Sequence, residues 1–231
     1  MADTQALLGS DSPAIAIAFL DSVPDNIAPW DGPAMPAGCS FWKEAWSGKT
    51  FYTTPESHYN CAVGAHTHRI ELPMDRASEL MDTVGFMVES GYIAMEEVPG
   101  IPVLPETPAA VAYGPVDSAP FTPSVVLVAL QPAQAMLLYE AAVQSGVSTA
   151  LMPSLGRPAC AVLPLAIASD AAAISLGCRG NRTFTELSDG KLYLCIPGDK
   201  WDEVLERYAQ TAQANQTMGN YYADKKGKFN G

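Results

Sequence analysis

Residues 123–146 read PSVVLVALQPAQAMLLYEAAVQSG. The run from Val125 to Leu130 is apolar without a break, the pattern of a strand covered on both faces. Pro132 then suits the first turn of a helix and Gly146 its end. A buried strand that runs straight into a helix is one half of a βαβ unit, so part of the sheet is expected to be parallel. This step points to an α/β fold in the mixed α+β sense: one domain, with a mixed, partly parallel sheet flanked by helices.

Outward from this step, the remaining chain supplies matching elements. Ala14 to Leu20 reads as a first strand. Residues 24–38, PDNIAPWDGPAMPAG, hold four prolines and two glycines and form a loop that delivers the chain to Cys39. SFWKEAWSG, residues 40–48, predicts a short helix, and KTFYTT a strand. MDRASELMDTVGFMVESG, residues 74–91, is the clearest amphipathic helix: Ala77, Leu80, Met81, Val84, Met87 and Val88 form a stripe expected to face the core, with methionine as gap-filler. VPGIPVLPETP is a connector across the same domain. AAVAYGPV, AAISLGC and KLYLCIP read as strands, while RPACAVLPLAIASD, residues 157–170, is ambiguous between helix and strand, with Pro164 expected to end or kink a helix. GDKWDEVLERYAQTAQ predicts a helix with Asp199 as its N-cap. The polar, basic tail NYYADKKGKFNG is expected to fray.

Composition limits the partners. There are 231 residues, with 13 Lys and Arg against 25 Asp and Glu, a formal charge of −12. Such a field repels phosphate backbones and anionic lipid, which argues against nucleic acid and membrane partners. No stretch reaches the ~20 apolar residues of a membrane span. The N-terminus lacks a basic region before its apolar run, so a cytoplasmic location is the expectation. In that compartment five cysteines are thiols or metal ligands before they are disulfides.

The chemistry is concentrated. All three histidines, His58, His66 and His68, lie within FYTTPESHYNCAVGAHTHRIEL around Cys61. His58 and Cys61 have the spacing of a metal knuckle. If AHTHR is extended, His66 and His68 point to one side, and a turn at Gly64 brings that side over Cys61. Nitrogen and sulfur donors suit zinc, iron or a haem-type iron better than magnesium or calcium. Cys39 precedes a helix whose N-terminus lowers a thiol pKa. Cys178 sits in SLGCRGNR, where a strand gives way to a glycine-rich turn. Cys160 follows another turn, and Cys195 reads as a small core hydrophobe. There is no C-x-x-C pair, which disfavours zinc ribbons and tandem ferredoxin motifs. GCRGNR also offers an anion cradle through Gly177, Gly180 and Arg182, with Asn60 and Gly64 as further ligand-binding candidates.

Cys39 with SFWKEAWSGKTFYTTPESHYNCAVGA, FTPSVVLVALQPAQAMLL, ISLGCRGNRTFTEL and LYLCIPGD, in that order, resemble the archaeal and bacterial family called domain of unknown function 169. The resemblance spans residues 10–208 as one domain and leaves 209–231 as a polar C-terminal extension. It implies an α/β domain without an established activity. It also implies that Cys39, Cys61, Cys178 and the GCRGNR turn belong to a shared pattern, whereas the HYNCAVGAHTH histidines mark a subgroup.

Three functions follow as expectations. The first is a metal or metallocofactor protein with Cys39, His58, Cys61, His68 and Cys178 as ligands. It would hold an iron–sulfur cluster or a haem-type iron, with zinc ranked below both, and serve in redox chemistry or cofactor handling with a small molecule or redox partner. Trp30, Phe41, Trp42, Trp46, Phe51 and Tyr52 are the aromatic residues available to wall a tetrapyrrole. The second is a metal-free thiol enzyme pairing Cys39 or Cys178 with His58 on an acidic substrate. The third is a non-catalytic small-molecule binder in the same cleft.

Overall fold

A computed structural model of the chain describes residues 3–36, 38–59, 61–151 and 157–229. At its centre is β4 (Val125–Leu130), apolar on both faces and completely enclosed. It pairs antiparallel with β1 (Ile15–Leu20) on one side and β7 (Leu192–Pro197) on the other. The remaining strands are β2 (Phe51–Thr53), β3 (Ala110–Pro115), β5 (Ser148–Leu151) and β6 (Ala171–Ser175). They complete a seven-stranded sheet in the order β2-β3-β1-β4-β7-β6-β5. The β5–β6 pair is parallel and the other neighbours are antiparallel. The sheet is mixed, as residues 123–146 suggested.

Side chains alternate across the pleat, so each face builds its own core. Val126, Val128 and Leu130 of β4 point to a layer made by α5 (Pro132–Gln144), α8 (Trp201–Phe229) and Leu8 of α1 (Thr4–Leu8). Val125, Leu127 and Ala129 point the other way, to α2 (Ser40–Trp46) and α6 (Val162–Ser169). The result is a helix–sheet–helix sandwich forming a single domain. The second face also carries three further helices: α3 (Ala62–Thr67), α7 (Arg179–Thr185) and α4 (Met74–Glu89). α3 touches the 3-10 turn Ala159–Ala161 that leads into α6, α7 touches α2, and α4 lies against α3.

Several elements differ from expectation for identifiable reasons. Residues 157–170 become the 3-10 turn followed by α6, and Pro164 does not break the helix. It is the third residue, where the backbone N–H has no intrahelical acceptor to lose. Asp199 lies inside a 3-10 turn, Gly198–Lys200, instead of capping α8. The tail expected to fray is helical through Phe229, although beyond Thr211 it runs largely exposed. Trp201, Val204 and Tyr208 anchor the first turns in the core, and the rest propagates from that nucleus. The stripe on α4 is oriented as read for Ala77, Leu80, Val84 and Met87, which are half-buried. Yet no residue of α4 is buried, and Met81 is 66% exposed. Its methionines are therefore not core filler: α4 is a cover resting on the second face. Among the described residues no helix is long and apolar enough to cross a membrane.

Candidate functional site

Beneath α4 lies a cavity of about 190 Å³ with an almost wholly apolar lining. Four of the five cysteines line it: Cys39, Cys61, Cys160 and Cys178. No two are closer in sequence than eighteen residues, and each arrives at the start of a helical segment. Cys39 is the N-cap residue of α2, Cys61 of α3 and Cys178 of α7, while Cys160 sits in the 3-10 turn before α6. Ahead of Cys39, bridges Pro29–Tyr52 and Met35–His58 pin the preceding loop alongside β2 and the chain that leaves it. All five cysteines are free thiols.

The local folding is built around sulfur. Cys61 Sγ accepts from the Gly64 N–H at 3.4 Å, and Cys178 Sγ accepts from the Asn181 N–H at 3.4 Å. Thr67 Oγ1 stands 3.3 Å from Cys160 Sγ. The N-terminal ends of short helices thus face the cavity, with backbone N–H groups directed at sulfur, an arrangement that favours negative charge there. Burial opposes that charge. It pushes the Cys39, Cys61 and Cys160 thiols above their usual pKa, and the neighbouring thiols add mutual repulsion. The expected lowering at Cys39 is therefore corrected: Cys39 is 6% exposed, and desolvation outweighs the helix end.

The histidines are placed differently from expectation. Residues 62–67 are helical, not extended, so His66 and His68 do not share a side. His66 is exposed on an open groove beside Arg69. His58 and His68, expected among the metal ligands, are absent from the cavity lining and stand behind its wall at Gly38. A Cβ on Gly38 would lie 3.7 Å from His68 Nδ1 and 3.9 Å from the His58 ring. His58 Nε2 meets Thr53 Oγ1 at 3.2 Å, with its ring edge-on to Phe41. His68 Nε2 meets the Cys160 carbonyl at 3.3 Å, which steadies the turn that carries Cys160. Burial lowers His58 to about 3 and His68 to about 4, so both are neutral. His58 directs Nε2 to the Thr53 hydroxyl, and among the described residues no hydrogen bond joins it to Cys39 or Cys178.

The anion-cradle candidates separate in the same way. Gly64 and Gly180 line the cavity. Gly177, at φ +81°, turns the chain from β6 into Cys178, and a Cβ there would stand 3.1 Å from Asn181 Oδ1. GCRGNR is thus a helix start and not a free turn. Arg182 donates to the carbonyls of Leu176 (2.5 Å), Ser188 (2.8 Å) and Lys191 (2.9 Å), so its fork ties three stretches of main chain together. Asn60 lies outside the described residues. Phe41, Trp42 and Phe51 are buried in the core, Trp30 and Trp46 pack against it, and none of the six aromatic residues lines the cavity. Cys195 is fully buried in β7 and lies away from it.

Sequence reasoning left the role of Cys160 open and passed over Asn181, Tyr92 and Arg157, all of which line the cavity. A cysteine three residues before an asparagine, in a motif already chosen for Cys178, was the available signal for Asn181. Arg157 donates to the Tyr92 carbonyl and lies 3.7 Å from Glu97, bringing a cation to the cavity rim.

Residues 5–207 match the family DUF169, described as Uncharacterised ArCR. The chain belongs to this family. No curated protein and no solved structure matches it. The DUF169 match covers all four cavity cysteines together with the whole sheet.

Proposed function

We propose that this DUF169 protein holds an iron–sulfur cluster of the [4Fe–4S] class through Cys39, Cys61, Cys160 and Cys178 and uses it for one-electron redox chemistry. The observation that carries this reading is the convergence of four thiols, from four separate helical segments, on one small apolar cavity. Four cysteine thiolates are the usual ligand set of such a cluster, one to each iron. Among the described residues no group of three or more His, Cys, Asp or Glu is placed to hold a metal ion, and the four thiols are distributed around the cavity lining. That arrangement suits a group with several separate attachment atoms better than a lone zinc, which draws four donors within about 2.3 Å of itself. The volume supports the same choice. About 190 Å³ falls below the ~300–1,000 Å³ of pockets for drug-sized ligands, and a tetrapyrrole needs at least that range.

Electrostatics is consistent with an anionic occupant. Iron makes the thiols bind as thiolates, releasing their protons. The N–H donors at Cys61 and Cys178 and the helix ends then face the resulting charge. With every iron held by protein, no coordination position is left for a substrate, which favours electron transfer over catalysis at the metal.

The test is reconstitution of the full chain with ferrous iron and sulfide without oxygen, comparing single variants. Cys39→Ser, Cys61→Ser, Cys160→Ser and Cys178→Ser are each expected to lose most of the bound iron, and Cys195→Ala to retain it. Equal loading across all five variants would refute the ligand assignment.

A further inference from the structure

We infer that Asn181 tunes the group held in the cavity: its side-chain amide donates to sulfur on the Cys39 side while its main-chain N–H holds Cys178. This assignment rests on the iron–sulfur reading and adds to it a residue that sets the reduction potential.

Asn181 is 1% exposed and lines the cavity. Both polar atoms of its side chain are buried without a normal hydrogen bond. A carboxamide in that state destabilises a fold unless something else satisfies it, and it therefore marks a ligand-facing position. Its surroundings fix where it can act. Asn181 lines the cavity together with Cys39 and Cys178, and neither end of its amide has a hydrogen-bond partner among the described residues. On its other side Oδ1 crowds Gly177, where a Cβ would intrude to 3.1 Å, so the lack of a side chain at 177 keeps room for the amide. The backbone of Asn181 is fixed as well: its N–H donates to Cys178 Sγ at 3.4 Å, and its carbonyl accepts from Thr185 Oγ1 at 2.8 Å. One residue thus addresses two of the four thiols, Cys178 through main chain and Cys39 through side chain. Conversion of Cys39 to an iron-bound thiolate supplies the acceptor that the amide lacks.

The consequence is electrochemical. A hydrogen bond to cluster sulfur strengthens as negative charge accumulates, so it stabilises the reduced state and raises the potential. Leucine at 181 keeps about the same volume and removes the donor. Aspartate keeps the shape but repels added negative charge once ionised.

The experiment loads wild type, Asn181→Leu and Asn181→Asp with ferrous iron and sulfide anaerobically. Iron and sulfide content is measured first, then the midpoint potential by spectroscopically monitored titration between pH 6 and 9. The expected result is equal iron content in all three, a midpoint in Asn181→Leu shifted negative of wild type, and a midpoint in Asn181→Asp that falls as pH rises. Should the leucine variant fail to fold, the aspartate variant decides alone. A midpoint that coincides with wild type at every pH in each folded variant overturns the inference. Failure of the wild type itself to take up iron and sulfide overturns the cluster reading instead, so the two failures are distinct.

Discussion

His58 and His68 are neutral imidazoles held in the interior, and that state makes the fold sensitive to acid. Burial keeps them at about 3 and about 4, against 6.5 for the ordinary side chain. As pH falls below about 6.5 the unfolded chain takes up protons that the folded chain cannot. Their contribution to stability is therefore complete above that pH and is lost progressively down to the folded values. Each neutral buried imidazole contributes a slope of up to about 1.4 kcal/mol per pH unit in that window. Urea denaturation between pH 7 and pH 5 is expected to show this decline, and His68→Asn, which cannot ionise, to remove about half of the histidine contribution. An unchanged slope in that variant would contradict the placement of His68. Arg182 yields a second prediction. It bonds three carbonyls from a partly buried position, so Arg182→Ala is expected to cost about 2–3 kcal/mol of stability, with Arg182→Lys restoring little because an ammonium lacks the fork. At this scale the sequence was informative about sulfur and misleading about nitrogen. Cys39, Cys61 and Cys178 stood out by their turns. Cys160 did not, because its approach to the others depends on how α6 crosses the sheet, a contact more than ninety residues away from Cys61 along the chain. The histidines drew attention by clustering in sequence, but the six-residue helix α3 and its C-cap place His66 and His68 off the cavity lining, and His58 turns to Thr53.

At the scale of elements, six of the seven strands and α5 were legible because their patterns are local: an unbroken apolar run for β4, and proline and glycine punctuation for α5; β5, four residues without an apolar run, was not. The short α3 was not, since six residues carry too little periodicity to separate helix from strand. α4 was legible as a helix but not as a cover. An amphipathic stripe shows which side faces protein and says nothing of how deep that contact is. With no buried residue, α4 is expected to open locally at far lower cost than α5, whose Leu138, Ala141 and Ala142 are enclosed. Native-state hydrogen exchange checks this: amides of Met74–Glu89 should exchange well ahead of those of Pro132–Gln144. Since Thr83 and Met87 of α4 line the cavity, loading with iron and sulfide should slow exchange in α4 specifically. Protection of α4 equal to α5 before loading would contradict its role as a cover.

For the whole molecule, the sheet brings together in space four thiols that the chain keeps far apart. β6 ends three residues before Cys178, the chain from β2 leads to Cys61, the loop pinned beside it leads to Cys39, and the turn before α6 presents Cys160. One face of the sandwich is a closed core under α5 and α8, and the other holds a small apolar space under a lightly attached helix. The measurement that tests the central claim most directly is iron and acid-labile sulfide analysis, with electron paramagnetic resonance before and after dithionite reduction, on untagged protein purified without oxygen. The account predicts about four irons and four sulfides per chain and a paramagnetic signal that appears on one-electron reduction. Protein that carries neither iron nor sulfide, and takes up neither on reconstitution, would contradict it.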